Sequence, residues 1–203
     1  MATRWAIVPI LLIGFTAAMI LGNTPAAGAS LNGRGPVCDE LVVNGGFEEG
    51  GAGWSQASVG GNDLIDDFHP HSGTWGAYLG GANNADDKLA QQIALPADAI
   101  SITLTGWWAI ATEEEGLGFD QMTLSLLKPD QTPLANLLSV DSSATVNVWE
   151  QAESDLTGYR GQTVIVQFHA TTDASNLTDF YVDDVSLTVC RPTITVYLPI
   201  ITR

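Results

Sequence analysis

Residues 180–190 read FYVDDVSLTVC, and this stretch decides how the chain closes. Val185, Leu187 and Val189 alternate with Ser186 and Thr188, the period-two pattern of a half-buried strand. The adjacent carboxylates of Asp183 and Asp184 interrupt it. The only other cysteine, Cys38, lies six residues before Asn44, and Cys190 lies six residues after Asp184. Antiparallel pairing that joins the two cysteines sets Asn44 opposite Asp184 and Glu48 near Phe180. Glu48 and Asp184 then share one end of a two-strand clasp, beside a Gly45-Gly46 turn whose carbonyls are free to point at them. Calcium takes about six to eight oxygens from carboxylates, carbonyls and water, a set this clasp supplies. An acidic bulge facing solvent fits the same spacing.

Working outward, the 203 residues include 21 Gly and 9 Pro, and no long segment has helical period. That composition predicts a β protein with many turns. Its length suits one domain of roughly 150 residues, able to bury about 70% of its unfolded surface. The formal net charge is −16; without a leader carrying Arg4, 23 acids face six Lys and Arg, giving −17. Those bases are scattered singly, which excludes a nucleic-acid partner and disfavours an anionic membrane surface. The acidity suits solubility outside a cell and some affinity for divalent ions.

Residues 1–29 carry Arg4, an apolar run from Trp5 to Leu21 and Ala27-Gly28-Ala29, and are read as a signal peptide. An uncleaved anchor is the alternative, and nothing later in the chain is long and apolar enough to span. Residues 30–37 form a linker, 38–190 the domain and 191–203 a tail. Two cysteines in an exported chain are expected to pair, Cys38 with Cys190. In the chain-entropy model closing so long a loop is worth about 5 kcal/mol. Strands are expected at Leu41–Val43, Trp75–Leu79, Leu89–Leu95, Ile100–Ile110, Met122–Leu126, Leu134–Val140, Asn147–Asp155, Thr163–Ala170 and the closing stretch, with a loop or short edge strands over Ser55–Ser72. Nine or ten strands joined first to last predict an all-β, two-sheet antiparallel jelly-roll β-sandwich.

Ile100, Ile102, Leu104, Trp108 and Ile110 share one parity, and Val164, Val166 and Phe168 point inward on their own strand. If these two strands belong to one sheet, Trp107, Thr103, Thr105, Gln167 and His169 share its outer surface. An indole stacks on the apolar face of a pyranose while amides and hydroxyls bond its hydroxyl groups, so this set describes a sugar platform. The competing reading covers Trp107 with the Ser55–Ser72 loop. His69 and His71 offer two imidazoles but no third zinc ligand, and are read as loop residues. Glu113 to Glu115 with Asp120 admit either a second cation or a solvated loop. There is no nucleophile elbow, no His-Glu-x-x-His, no phosphate-cradling loop and no free cysteine, so no enzyme is expected. A carboxylate pair for glycoside hydrolysis stays open among the 23 acids.

Asn44-Gly45-Gly46-Phe47-Glu48 with Trp54, Ser72-Gly73 with Trp75, Tyr78-Leu79-Gly80, Trp107-Trp108, Asp155-Leu156, Gly161-Gln162 and Tyr181-Val182-Asp183-Asp184-Val185 together resemble the galactose-binding-like jelly rolls. Within these the chain is similar to CenC-type carbohydrate-binding modules and to modules appended to secreted bacterial peptidases, over about Cys38 to Cys190. The resemblance implies a structural calcium held by the acid of the first motif and the aspartate of the last, Glu48 and Asp184. It also implies a secreted, non-catalytic module, expected as a monomer, with an extracellular glycan or polysaccharide as partner. The alternative is a structural or protein-adhesion module with no sugar site. The tail, TITVYLPIITR, looks like the Tyr-Leu-Pro endings of some exported bacterial proteins.

Overall fold

The computed structural model describes residues 35–114 and 118–193. The expected signal peptide (1–29), residues 30–34 of the linker and residues 194–203 of the tail lie outside the described residues. Among the described residues eleven strands run in chain order: β1 Val37–Glu40, β2 Ser55–Ser58, β3 Ile65–Asp66, β4 Gly76–Gly80, β5 Asp86–Ala94, β6 Ser101–Thr112, β7 Gln121–Leu127, β8 Pro133–Asp141, β9 Glu150–Asp155, β10 Thr163–Thr171 and β11 Thr178–Arg191. One 3-10 turn, Thr157–Tyr159, precedes β10. No helix among the described residues is long and apolar enough to cross a membrane.

The strands make two antiparallel sheets. One has the order β3-β4-β11-β6-β9, with β1 also on β11; the other has the order β2-β5-β10-β7-β8. Side-chain alternation builds the core between them. Ile102, Leu104, Trp108 and Ile110 of β6 and Val164, Val166, Phe168 and Ala170 of β10 are buried, as are Met122, Leu124 and Leu126 of β7 and Phe180, Val182, Leu187 and Val189 of β11. Each large apolar side chain so buried contributes about 1.5–3 kcal/mol. Ile100 is the exception to the predicted parity: it precedes β6 and is 54% exposed.

β11 is the strand on which both chain ends of the domain meet. Along one edge it pairs with β6 throughout. Along the other it pairs first with β4, over Asp179–Val182, and then with β1, over Thr188–Arg191. Cys38 sits directly opposite Cys190 and is bonded to it, with Cα atoms 4.0 Å apart, as the sequence predicts. Between the two partners, at Asp183–Ser186, β11 carries a bulge where its register on β6 shifts. Asp184 has φ +48°, a left-handed conformation that aspartate tolerates better than most residues.

The predicted register does not extend through that gap. The β1 ladder ends at Glu40 opposite Thr188, and the Glu40 carboxylate then accepts the N–H groups of Val42 and Leu187, each at 2.7 Å. That side chain replaces the strand partner, so Leu41–Val43 is not a strand. Leu41 N–H still donates to Leu187 O at 3.0 Å in the cysteine register, and the backbone bond after it runs from Val185 N–H to Gly45 O at 2.9 Å, a slip of two residues. Asn44 is therefore not opposite Asp184. It folds the following loop instead: its Nδ2 donates to Gly50 O, its Oδ1 accepts Glu49 N–H, and its carbonyl accepts the Trp54 indole N–H at 3.0 Å. This seats Phe47, fully buried, against Trp54 at a ring separation of 5.2 Å.

Gly45 makes the slip possible. A Cβ there would lie 1.8 Å from the Val185 carbonyl oxygen. Gly45→Ala is expected to cost about 2–4 kcal/mol in urea unfolding, because the clash falls on backbone at the domain's closure. Gly158→Ala is the control: a Cβ at Gly158 meets nothing within 4 Å, and its unfolding midpoint is expected to stay unchanged.

Candidate functional site

The two sheets present unlike outer faces. β6 lies in the six-stranded sheet and β10 in the five-stranded one. The single-sheet premise behind the predicted sugar platform is thus not met: Trp107, Thr103 and Thr105 face outward on one side of the sandwich, Gln167 and His169 on the other.

On the six-stranded face Trp107 is half-buried, and the His71 ring stacks on it at 4.2 Å with planes 14° apart. The residues before β4 therefore cover one face of this indole, as the competing reading anticipated. The ring contacts continue across the sheet. His69 stacks on Trp149 at 5.7 Å and tilts against Tyr181 at 4.6 Å, and Phe68 packs on Tyr78 at 5.6 Å. Tyr78 and Tyr181 are cross-strand partners with rings 5.6 Å apart. Both hydroxyls donate to Asp179, at 2.9 and 3.1 Å. Burial, reinforced by that carboxylate, raises both phenols well above the ordinary tyrosine value.

The five-stranded face carries a groove of about 350 Å³ lined by Ser55, Gln56, Ala57, Lys88, Ala90, Gln92, Gln131, Ile165 and Gln167. Ala90 and Ile165 belong, with Leu127, to a small buried apolar cluster separate from the main core, which gives the groove an apolar floor. Four side-chain amides and Lys88 stand around it. At its rim Asp86 accepts from Lys88 at 2.9 Å and pairs with His169 at 2.8 Å. Those hydrogen bonds, Lys88's first, hold the Asp86 carboxyl below its usual range. Of the predicted binding residues only Gln167 lines this groove, with His169 reached through Asp86. Gln92 was legible in the alternation of β5, where the neighbouring Gln91 points inward and its amide clamps Val43 N–H at 2.8 Å and Val43 O at 2.9 Å. Gln131, on the β7–β8 turn at φ +69°, carried no such signal.

A second cavity, about 450 Å³, is acidic and lies by β3 and β4, with Asp63, Asp66, Asp87 and Tyr78 in its wall. Asp87 is buried; its Oδ2 accepts Gly80 N–H at 2.9 Å.

The predicted metal ligands flank one loop, His71–Trp75. Asp184 holds its first half, with Oδ2 on His71 Nδ1 at 2.7 Å and Oδ1 accepting Ser72 Oγ–H at 2.9 Å. Glu48 holds its second half, Oε1 accepting Thr74 N–H at 2.7 Å and Trp75 N–H at 2.9 Å, rather than lying near Phe180. Gly73, at φ +64°, leaves room for that carboxylate: a Cβ would stand 2.1 Å from Oε1. Asp183, fully buried, accepts N–H groups from His71, Ser72 and Asp184 at 2.7–3.0 Å. Burial nonetheless raises its carboxyl above the ordinary range. The donors gathered here are hard oxygens, chemistry that fits calcium. A further acidic triad, Glu114, Asp120 and Asp173, brings three carboxylate oxygens within 4.8 Å of one another, close enough to hold a metal ion.

No family model matches the chain, and no curated protein matches it. Solved structures do share its fold. The carbohydrate-binding module TmCBM61, determined with β-1,4-galactotriose, superposes with a TM-score of 0.55 at 14% identity, over 73% of this chain and 97% of that one. The K3 cleaved adhesin domain of Lys-gingipain from Porphyromonas gingivalis superposes at 0.51 with 19% identity, over 73% and 98%. The K1 domain of the same protein superposes at 0.50 with 16% identity, over 75% and 96%. The chain thus shares the two-sheet antiparallel β-sandwich fold of these domains.

A phenol held above its ordinary value keeps its proton in the folded chain after the unfolded chain has released it. The stability from Tyr78 and Tyr181 is complete below about pH 10 and is lost as pH rises toward the folded values. Alkaline ultraviolet titration is expected to show two of the four tyrosines ionising only as the domain unfolds. Asp179→Asn is expected to lower the pH at which both titrate.

Proposed function

We propose that this chain is a secreted, non-catalytic carbohydrate-binding module that takes a glycan chain in the groove of the five-stranded sheet and carries a structural calcium between Glu48 and Asp184. The observation that carries the reading is the groove's lining: four glutamine amides and a lysine around an apolar floor. Each primary amide offers one acceptor and two N–H donors, a match for vicinal hydroxyl pairs, although Gln56 Oε1 already accepts Leu64 N–H at 2.6 Å, and the apolar floor suits the C–H face of a pyranose. The acidic, exportable sequence agrees with an extracellular glycan as partner. The β-1,4-galactotriose in the TmCBM61 structure makes galactan the first probe.

A second reading, protein adhesion, is favoured by one feature: the groove contains no aromatic platform, and the rings on the opposite face stack on each other. In affinity electrophoresis on soluble galactan, xylan and β-glucan, the wild-type chain is expected to be retarded by at least one polysaccharide. Gln92→Ala with Gln167→Ala should lower the affinity at least tenfold, with stability changes of about 0.5 kcal/mol per site, as for surface substitutions. Retardation unchanged in the double variant, or absent in the wild type, overturns the groove and leaves adhesion.

For the calcium, Glu48 and Asp184 would hold the ion, which supplies the positive charge between the first motif and the last strand. An ion bound by the folded state alone raises stability by about 2.7 kcal/mol at a hundredfold excess over its dissociation constant. Chelation is therefore expected to lower the melting temperature, and Asp184→Asn to reduce that calcium response. Asparagine keeps an oxygen ligand and the left-handed backbone at this position, so the loss isolates the charge. A calcium response of the same size in Asp184→Asn rules out this pair as ligands.

A further inference from the structure

We propose that Glu114, Asp120 and Asp173 form a second calcium site, independent of the glycan groove and of the Glu48–Asp184 pair, which pins the two sheets together at one end. Glu114 follows β6, Asp120 precedes β7 and Asp173 follows β10. β6 belongs to one sheet, β7 and β10 to the other, so an ion here joins strand ends across the core.

Three carboxylates in such proximity repel unless a cation or proton lies among them. No Lys, Arg or His among the described residues forms an ion pair with any of the three. Asp120 is the second, independent sign of a ligand. It is 0% exposed, its Oδ1 accepts Asp173 N–H at 2.6 Å, and its Oδ2 is buried with no hydrogen-bond partner. Glu114 Oε1 is likewise shielded from solvent and without a partner, while Glu114 Oε2 accepts weakly from Asn176 Nδ2 at 3.3 Å. Leaving a buried carboxylate oxygen without a donor is costly, so one such oxygen on each of two members of the triad marks a place built for a positive ligand. The remaining bonds are spent on holding the geometry. Asp173 Oδ1 accepts Ser175 N–H at 2.7 Å and its carbonyl accepts Asn84 N–H at 2.6 Å, while the Asp120 carbonyl accepts Ser142 N–H at 3.2 Å. All-carboxylate ligation without His or Cys selects calcium over zinc.

The test counts calcium on the full chain, stripped with chelator, dialysed against calcium chloride and measured by atomic emission. In an Asp184→Asn background, where the other pair is disabled, one bound equivalent is expected. Adding Glu114→Gln should remove it. Asp173→Asn, at a half-exposed position, is the second variant should the first fail to fold. The triple acid leaves a further signature: in chelator, Glu114→Gln should melt above its parent, because one of three crowded charges has gone, and calcium should no longer raise its melting temperature. At a hundredfold excess over the dissociation constant, calcium should lower the parent's unfolding equilibrium constant by about 100-fold. Bound calcium that is unchanged by both substitutions, or absent from the Asp184→Asn parent, overturns the site. Failure of the Glu48–Asp184 reading alone would appear differently, as an equal calcium count with and without Asp184→Asn.

Discussion

The structure depends on the break in β11. A strand of this length, paired with β6 along one edge, leaves its other edge to be filled, and here two separate strands fill it. The bulge at Asp183–Ser186 lies where β4 stops and β1 has not begun. Into that gap come the Gly45 carbonyl, bonded to Val185 N–H, and the backbone of His71 and Ser72, bonded to the Asp183 carboxylate. A regular β11 would carry two neutral side chains at this point and no acceptors. The loops after β1 and before β4 would then have unpaired N–H groups, each costing about 1–3 kcal/mol when buried. The two aspartates are thus the partners that let irregular backbone sit inside the sandwich.

The same break sets the difference between the faces. Because the loop before β4 is tied to Asp183 and Asp184, its histidines lie down on the six-stranded sheet, where Trp107, Trp149 and Tyr181 receive them. That face is consumed by its own loop. Among the described residues no equivalent loop is anchored over the five-stranded sheet, so its outward amides line an open groove whose floor, Ala90 and Ile165, packs on Leu127. Polar outward residues on a sheet with an open face are the condition for a groove that binds through hydrogen bonds and not through stacking.

Much of this was legible in the sequence. The two-sheet class, the disulfide, the inward parities of β6, β7, β10 and β11 and the special role of the residues around Asp184 follow from alternation and cysteine count, because burial on one face of a strand writes a period of two into the chain. Sheet membership was not legible. β6 and β10 have the same pattern whether they share a sheet or face each other across the core, so the pattern alone allows Trp107 and Gln167 on one platform although they stand on opposite sheets. Register was legible only as far as the ladder held. The slip at Gly45 arises from a side chain, Glu40, standing in for backbone, and no periodicity records such a substitution. Asp173 could not be matched to Glu114 and Asp120 for a related reason: the three lie on loops that only the strand order brings together.

The two proposed ion positions both bear on β11. The strand starts at Thr178, opposite Thr112, with the two hydroxyls 2.7 Å apart, one turn of chain from Glu114 and Asp173. Its break at Asp184 lies six residues on, which at the rise of an extended strand is about 20 Å. Contributions from sites this far apart add, and neither ion is needed to assemble the other's ligands. Glu114 and Asp173 stand near the start of β11, and Asp184 stands where it bends. Between those two points lie Asp179, Phe180, Tyr181 and Val182, whose pairing with β4 and β6 places the tyrosine pair on one side and the core phenylalanine on the other. The carboxylates that hold irregular backbone, Glu40, Asp183 and Asp184, stand where the pairing of β1, β4 and β11 is interrupted, so acidic side chains supply the acceptors that the missing strand partner does not.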